Sequence, residues 1–307
     1  MAREVTGYIF AALAAASYGT NPIFAKPLYA EGMNPDSVLL FRYLLGLLLL
    51  MGMMAWNGYR RKDLKSQFVV NRHSLPQLVL MGILMAMSSL TLFMSYNYMP
   101  VGIASTLLFI YPILVAVIMT LIYHERMSWL VVVCLILASS GIALLCKSDE
   151  AAPEVVTSAL PVSPFMVGLL LVMLSSLSYA IYLVGLSKSR LRTVASMPVT
   201  LYVIFFGTFL FVGRLAMGTE FTMPTTTMMW ANLFCLGFFP TVVSLICTAK
   251  AIQAIGSTQT AIFGALEPVT AVVLGIIILG ETLVLREVVG MLMILVSVTL
   301  VMLRQRK

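Results

Sequence analysis

Apolar residues along this chain come in long uninterrupted runs, not in the alternation that half-buried strands require. A helix needs about 20 apolar residues to cross the hydrocarbon core of a bilayer. The pattern therefore predicts an all-α membrane protein with ten transmembrane helices. The predicted spans are Val5–Pro27, Ser37–Trp56, Leu75–Tyr98, Gly102–Tyr123, Trp129–Cys146, Phe165–Leu186, Met197–Met217, Thr226–Thr248, Ser257–Leu279 and Leu283–Leu303.

The most informative run covers residues 261–281 and carries one acidic residue in its interior, Glu267, directly before Pro268. An ionisable group at the middle of a transmembrane helix costs roughly 2.5–3.5 kcal/mol on insertion scales, so such groups usually face protein or a water-filled cavity. Two interpretations of Glu267 stay open. It either carries a coupling proton or contacts a substrate amine, or it serves the helix that Pro268 interrupts.

The same frame occurs 156 residues earlier in the chain. Pro112 corresponds to Pro268 and Glu125 corresponds to Glu281, while Tyr111 stands at the position of Glu267. The chain therefore reads as two copies of one membrane unit, and only the second copy carries the interior acid.

The predicted duplication is inverted, because each half contains five spans, an odd number. The Ser-Tyr pairs at 17–18 and 178–179 lie at corresponding places in the first and sixth spans and are a second sign of the repeat. We predict a first repeat over 5–146, a linker over 147–164 and a second repeat over 165–303. Secondary transporters commonly place their binding site between such repeats.

Composition and charge fit a multi-pass membrane protein. The chain has 307 residues, of which 61% are hydrophobic and only 10% are charged, and its mean hydropathy is +1.01. Soluble domains carry about 25% charged residues. The net charge of +7 comes from basic residues clustered in short loops on one side, a pattern that sets orientation and does not indicate nucleic-acid binding. We predict a bacterial inner-membrane protein with cytoplasmic N- and C-termini and a periplasmic linker.

Four stretches resemble the EamA family of the drug/metabolite transporter superfamily: SYGTNPIFAK at 17–26, FRYLLGLLLL at 41–50, YMPVGIASTLLFIYPILVAVIMTLIYHE at 98–125 and IGSTQTAIFGALEPVTAVVLGIIILGE at 255–281. The first copy departs from the family pattern, with Tyr111 and His124 where the second copy has Glu267 and Gly280. The resemblance implies a cavity lined by the first four helices of each half and peripheral fifth and tenth helices. It also implies transport, often outward, of an amino acid, a related metabolite or a drug.

Candidate cavity residues are polar or aromatic side chains in or near the predicted spans. Arg42 lies within a span, where it either attracts a substrate carboxylate, or extends to the lipid headgroups or pairs with Glu31 or Asp36. Tyrosines offer an aromatic wall with one hydrogen-bonding tip. The candidates are Tyr18, Asn21, Arg42, Tyr96, Asn97, Tyr111, Tyr179, Tyr182 and Glu267, with Glu267 also the coupling candidate and Pro22, Pro112 and Pro268 as helix breaks.

Other classes of function lack their motifs. All three aspartates (Asp36, Asp63 and Asp149) lie in predicted loops, and neither HExxH nor GxSxG occurs, so we predict no enzyme, no metal site and no cofactor. The chain has no GxxxxGK[ST] loop, which disfavours an ATP-driven pump. The alternative transporter class is a sugar-phosphate or nucleotide-sugar exchanger. Such a protein needs several basic residues in its cavity to bind phosphate, whereas only Arg42 lies clearly within a predicted span. A membrane scaffold without transport stays open, as does a homodimer. The expected partners are a small-molecule substrate, the lipid bilayer and, as a candidate coupling ion, protons.

Overall fold

The computed structural model describes residues 2–61, 68, 70–99, 104, 107–125, 128–145, 164–279 and 285–304, and these ranges are almost entirely helical. Grouped across short breaks, the described helices form ten spans, which confirms the all-α architecture. The helices are α1 (Ala2–Gly19), α2 (Asn21–Ala30), α3 (Pro35–Arg61), α4 (Leu75–Ser95), α5 (Tyr111–Leu121), α6 (Trp129–Leu145), α7 (Pro164–Lys188), α8 (Ser196–Ala216), α9 (Thr227–Gly237), α10 (Ser244–Ile255), α11 (Ser257–Phe263), α12 (Leu266–Leu279) and α13 (Leu285–Arg304).

Three predicted spans are each divided into two helices. The first breaks at Thr20, between α1 and α2, and the ninth breaks at residues 264–265, between α11 and α12. The eighth contains a π-helical turn, Phe238–Val243, between α9 and α10. Each break lies next to a proline, which lacks a backbone N–H and interrupts the hydrogen-bond ladder.

The proline at the start of α5 shows how such a break is tolerated in a membrane. Pro112 cannot donate to the carbonyl of Leu108, four residues earlier. The hydroxyl of Ser176 on α7 donates to that carbonyl instead, at 3.0 Å. A side chain of the second repeat thus satisfies a carbonyl that the first repeat leaves free. An unsatisfied carbonyl inside a membrane would be costly, because no water is present to donate a hydrogen bond to it.

Helix contacts in the described chain are reciprocal between the two repeats. Helix α1 packs against α10 and α12, and its counterpart α7 packs against α4 and α5, the counterparts of α10 and α12. Helix α3 packs against its own counterpart, α8. Exchanging the two halves therefore preserves the contacts, which is the result of an inverted duplication.

The fifth and tenth spans, α6 and α13, pack mainly against each other at the periphery. The hydroxyl of Ser297 donates to the carbonyl of Cys134 at 2.7 Å. A Cβ on Gly141 would lie 2.7 Å from the carbonyl oxygen of Gly290, so only glycine permits this backbone approach. Small residues at such contacts are typical of helix association in membranes.

Some predicted features fall outside the described residues, namely 147–163 of the linker and Gly280 with Glu281. The first-repeat counterpart of Glu281 is described. Glu125 follows α5 and forms an ion pair with Lys188 at the end of α7.

Candidate functional site

A narrow cavity lies where helices of both repeats meet. Helices α1, α5, α7, α10, α11 and α12 contribute to its wall. The volume open to the centre of a water molecule is about 20 Å³, enough for about one water, so a metabolite enters only if the helices move apart. The lining residues are Ala11, Ala14, Ala15, Tyr18, Tyr111, Tyr179, Leu183, Ser244, Thr248, Thr260, Gly264 and Glu267.

Three tyrosines give the cavity an aromatic wall. Tyr111 and Tyr179 meet edge to face, with ring centroids 4.8 Å apart. Tyr182 stacks on Tyr179 with ring centroids 5.9 Å apart. It is buried but does not line the cavity. Tyr18 on α1 is the third lining tyrosine. Edge-to-face contacts are a preferred geometry of aromatic pairs and contribute about 0.5–1.5 kcal/mol beyond the buried area.

Tyr111 belongs to the first repeat but reaches the break in the second repeat. Its hydroxyl donates to the carbonyl of Ala261 at 3.4 Å. The same hydroxyl lies where a Cβ on Gly264 would stand, so residue 264 must be glycine for the tyrosine to fit. Tyr111 therefore contacts the backbone one turn before Glu267.

Glu267 lies in the first turn of α12, directly after the break. Its backbone N–H donates at 2.9 Å to the carbonyl of Gly264, the group that Pro268 cannot reach with an N–H. In the part of the chain that the structure describes, no donor bonds the Glu267 carboxylate, which is half-buried and faces the cavity. The backbone of Glu267, not its side chain, therefore satisfies the break.

Arg42 is 1% exposed and lies at the centre of a buried hydrogen-bond network. Its Nε donates to Thr241 Oγ1 at 2.7 Å, its Nη1 to Asn21 Oδ1 at 3.3 Å and its Nη2 to the Pro240 carbonyl at 3.1 Å. Its Cζ lies 5.5 Å from the centre of the Tyr18 ring. We call Arg42, Asn21, Pro240 and Thr241 the Arg42 clamp. The clamp joins α2 and α3 of the first repeat to the π-helical turn of the second.

The clamp also satisfies the break in the eighth span. Pro240 leaves the carbonyl of Leu236 without its helical donor. The Thr241 hydroxyl donates to that carbonyl at 2.8 Å while it accepts from Arg42. One continuous chain of hydrogen bonds thus runs from the guanidinium to the interrupted backbone.

The acidic residues considered as partners of Arg42 bind elsewhere. Asp36 accepts two hydrogen bonds from Arg214, at 2.6 and 3.1 Å. Glu31 accepts from the hydroxyl of Thr226 at 3.2 Å. The guanidinium of Arg42 therefore bonds neutral oxygen acceptors and pairs with neither of these carboxylates.

The structure divides the sequence candidates into three sets. Tyr18, Tyr111, Tyr179 and Glu267 meet at the cavity, and Asn21 joins Arg42 next to Tyr18. Tyr182, Tyr96 and Asn97 do not line the cavity: Tyr182 packs on Tyr179, and the other two lie in the turn after α4. Tyr96 packs on Phe93 at 5.5 Å, and Asn97 is exposed.

Sequence reasoning missed several hydroxyl residues of the site. Ser244, Thr248 and Thr260 line the cavity, and Thr241 belongs to the clamp. A usable indication was present, because Pro240 stands in the middle of the predicted span over 226–248. A proline at that depth requires nearby donors for the freed carbonyl, and hydroxyl side chains commonly supply them.

Comparison with known proteins agrees with this architecture. The model of the EamA-like transporter family matches residues 5–146 and again 166–303. An uncharacterized transporter of Clostridium kluyveri is 24% identical over 295 residues, which cover 95% of this chain and 91% of that protein. A solved crystal structure superimposes with a TM-score of 0.79 at 13% identity, covering 99% of this chain and 98% of that one, and so shares the fold.

Proposed function

Because the chain belongs to the EamA-like transporter family and is a membrane transporter, we propose that it works by alternating access as a secondary transporter. The observation that carries the proposal is the narrow cavity, whose wall comes from both repeats. The substrate is a small metabolite, an amino acid or a related compound or a drug, and the direction is outward across a bacterial inner membrane. Rocking of one repeat against the other opens the cavity to each side in turn.

The breaks in the helices support this mechanism. Tyr111 of the first repeat touches the break beside Gly264 of the second, and the Arg42 clamp bridges the repeats at the π-helical turn. Short half-helices reorient at such breaks with little loss of hydrogen bonding, because the Thr241 hydroxyl and the Glu267 backbone N–H already satisfy the carbonyls that the prolines leave free.

A sugar-phosphate exchanger receives less support from the geometry. The described lining includes no lysine or arginine. Arg42 is enclosed in its clamp, and the Lys250 ammonium lies 4.6 Å from the centre of the Phe10 ring. A phosphate in this cavity would lack a basic partner.

Orientation can be tested with single cysteines in a cysteine-free background. The positive-inside rule predicts that Glu220, in the exposed loop after α8, faces the periplasm and that Arg192, in the loop before α8, faces the cytoplasm. An impermeant maleimide applied to intact cells should label Glu220→Cys at once and Arg192→Cys only after the membrane is opened. The opposite pattern would contradict both the orientation and the cytoplasmic termini.

Purified protein in liposomes should move substrate down its gradient, or against it when a proton gradient is imposed, without ATP. Ala14 lines the cavity and is buried, so the ring of Ala14→Phe should fill the binding space and lower the flux about tenfold or more, which is a barrier higher by about 1.4 kcal/mol. Leu48 is 60% exposed on the membrane-facing side, so Leu48→Phe is the matched control and should keep its flux. Strict dependence on ATP, or equal flux in both variants, would overturn the proposal.

A further inference from the structure

We propose that the cavity selects a small organic ammonium ion without a carboxylate, an amine rather than an amino acid, with Glu267 as its counter-ion. The inference rests on the transport function proposed above and narrows its substrate class. It follows from three features of the described cavity: its charge, the surroundings of Arg42, and the rings and hydroxyls near the carboxylate.

The charge of the lining is one-sided. Glu267 is the acidic residue among the described lining residues, and that lining contains no lysine, arginine or histidine. A zwitterionic amino acid would pair its ammonium with Glu267 but leave its own carboxylate without a cation. An unpaired charge taken out of water is costly, whereas a charge in contact with its counter-ion recovers much of that cost. The cavity therefore discriminates by charge against substrates that carry a carboxylate.

Arg42 does not supply the missing cation. Three of its five N–H donors bond Asn21, Thr241 and the Pro240 carbonyl, and the side chain is almost inaccessible. The ring of Tyr18 belongs to the cavity wall, and Arg42 lies beside it and is not part of the lining. Binding a substrate carboxylate would require Arg42 to give up bonds that hold the interrupted helix together.

The groups around the carboxylate suit an ammonium ion. Cations are attracted to the faces of aromatic rings within about 6 Å. The Tyr111 and Tyr179 rings meet edge to face at 79°, so their faces point in different directions and an ion in the cavity beside them can lie over one face or the other. Within the described residues, the Thr248 hydroxyl makes no hydrogen bond and is free to accept one from an N–H donor.

Calorimetry on the whole chain in detergent tests the proposal. It measures the binding of three matched probes. Phenethylamine carries the cation, phenylalanine adds a carboxylate to it, and 2-phenylethanol replaces the ammonium with a neutral hydroxyl. We expect phenethylamine to bind at least about tenfold more tightly than either other probe, and Glu267→Gln to remove that advantage. Glu125→Gln, which alters an exposed carboxylate outside the cavity lining, is the matched control and should bind as the wild type does.

A second pair of variants keeps the test valid if Glu267→Gln fails to fold. Tyr179→Leu removes a ring of the cavity wall and should weaken phenethylamine binding by about threefold to tenfold, while Tyr179→Phe keeps the ring and the affinity. Phenylalanine binding as tight as phenethylamine, or phenethylamine binding unchanged in Glu267→Gln, would overturn the proposal.

Liposome flux separates this inference from the function on which it rests. Flux of phenethylamine exceeding that of phenylalanine supports both. Flux of phenylalanine or of neutral metabolites, with no binding of phenethylamine, would overturn the ammonium site and leave the transporter. Selective phenethylamine binding without flux of any compound would overturn secondary transport and leave the ammonium site.

Discussion

Glu267→Gln should abolish accumulation driven by a proton gradient and leave the protein folded. The carboxylate accepts no hydrogen bond from the described residues, and the backbone of Glu267 satisfies the carbonyl of Gly264. Glutamine keeps the shape of the side chain but cannot carry a proton. We therefore expect a free energy of unfolding within about 1 kcal/mol of the wild type, together with loss of the pH dependence of transport.

The measurement compares uptake into liposomes with and without an imposed proton gradient. The ionisable groups that face Glu267 are Tyr18 from α1, Tyr111 from α5 and Tyr179 from α7, with Arg42 beyond Tyr18. None of the described ionisable residues on α2, α6 and α13, which also contact α12, lines the cavity. Glu125→Gln should retain full proton-driven accumulation. Proton-driven accumulation that persists in Glu267→Gln, at normal expression, would exclude Glu267 as the group that carries the coupling proton.

Arg42→Met should destabilise the protein strongly although Arg42 lies outside the cavity lining. It removes the donors that hold Asn21, Thr241 and the Pro240 carbonyl, all in a buried network. Hydrogen bonds from a charged donor contribute roughly 1.5–3 kcal/mol each in soluble proteins, but interhelical bonds in membranes average about 0.6 kcal/mol. We expect the free energy of unfolding to fall by about 2–5 kcal/mol, which lies between the totals that these two scales give for the three hydrogen bonds.

Arg214→Met is the matched control, because Arg214 also bonds across the repeats but does so near solvent. Its ion pair with Asp36 has side chains that are 31% and 17% exposed, and such pairs usually contribute no more than about 1 kcal/mol. Unfolding of both variants in a denaturing detergent series gives the difference directly. Thr241→Val should show part of the Arg42→Met loss, since it removes one acceptor of the clamp. Equal stability of Arg42→Met and Arg214→Met would show that the clamp does not hold the helices together.

The sequence was sufficient for the spans, the duplication and the breaks at Pro112 and Pro268. Apolar length and proline chemistry are local properties, so they can be read from consecutive residues. The sequence also placed Tyr111 and Glu267 at matching positions, and the structure brings both to one cavity. The correspondence between these two positions was therefore predictable from the sequence.

The direction in which a side chain points around its helix was not predictable. Tyr96 and Tyr18 are both tyrosines within predicted spans, yet of these two only Tyr18 lines the cavity. Arg42 was placed within a span, but its partner Thr241 is 199 residues away in the other repeat. Which faces meet depends on packing between the repeats, and one sequence without its tertiary contacts does not specify that.

The fit of Tyr111 against Gly264 means that the two halves of the protein are not interchangeable. The position equivalent to Gly264 in the first repeat is Leu108, which is buried, and the position equivalent to Tyr111 in the second is Glu267. A protein made from two copies of the first half would press each tyrosine onto a leucine, and one made from two second halves would place two acids together. Each half therefore carries, at this contact, the residue that the other half requires, so a dimer of either half alone would lose the contact.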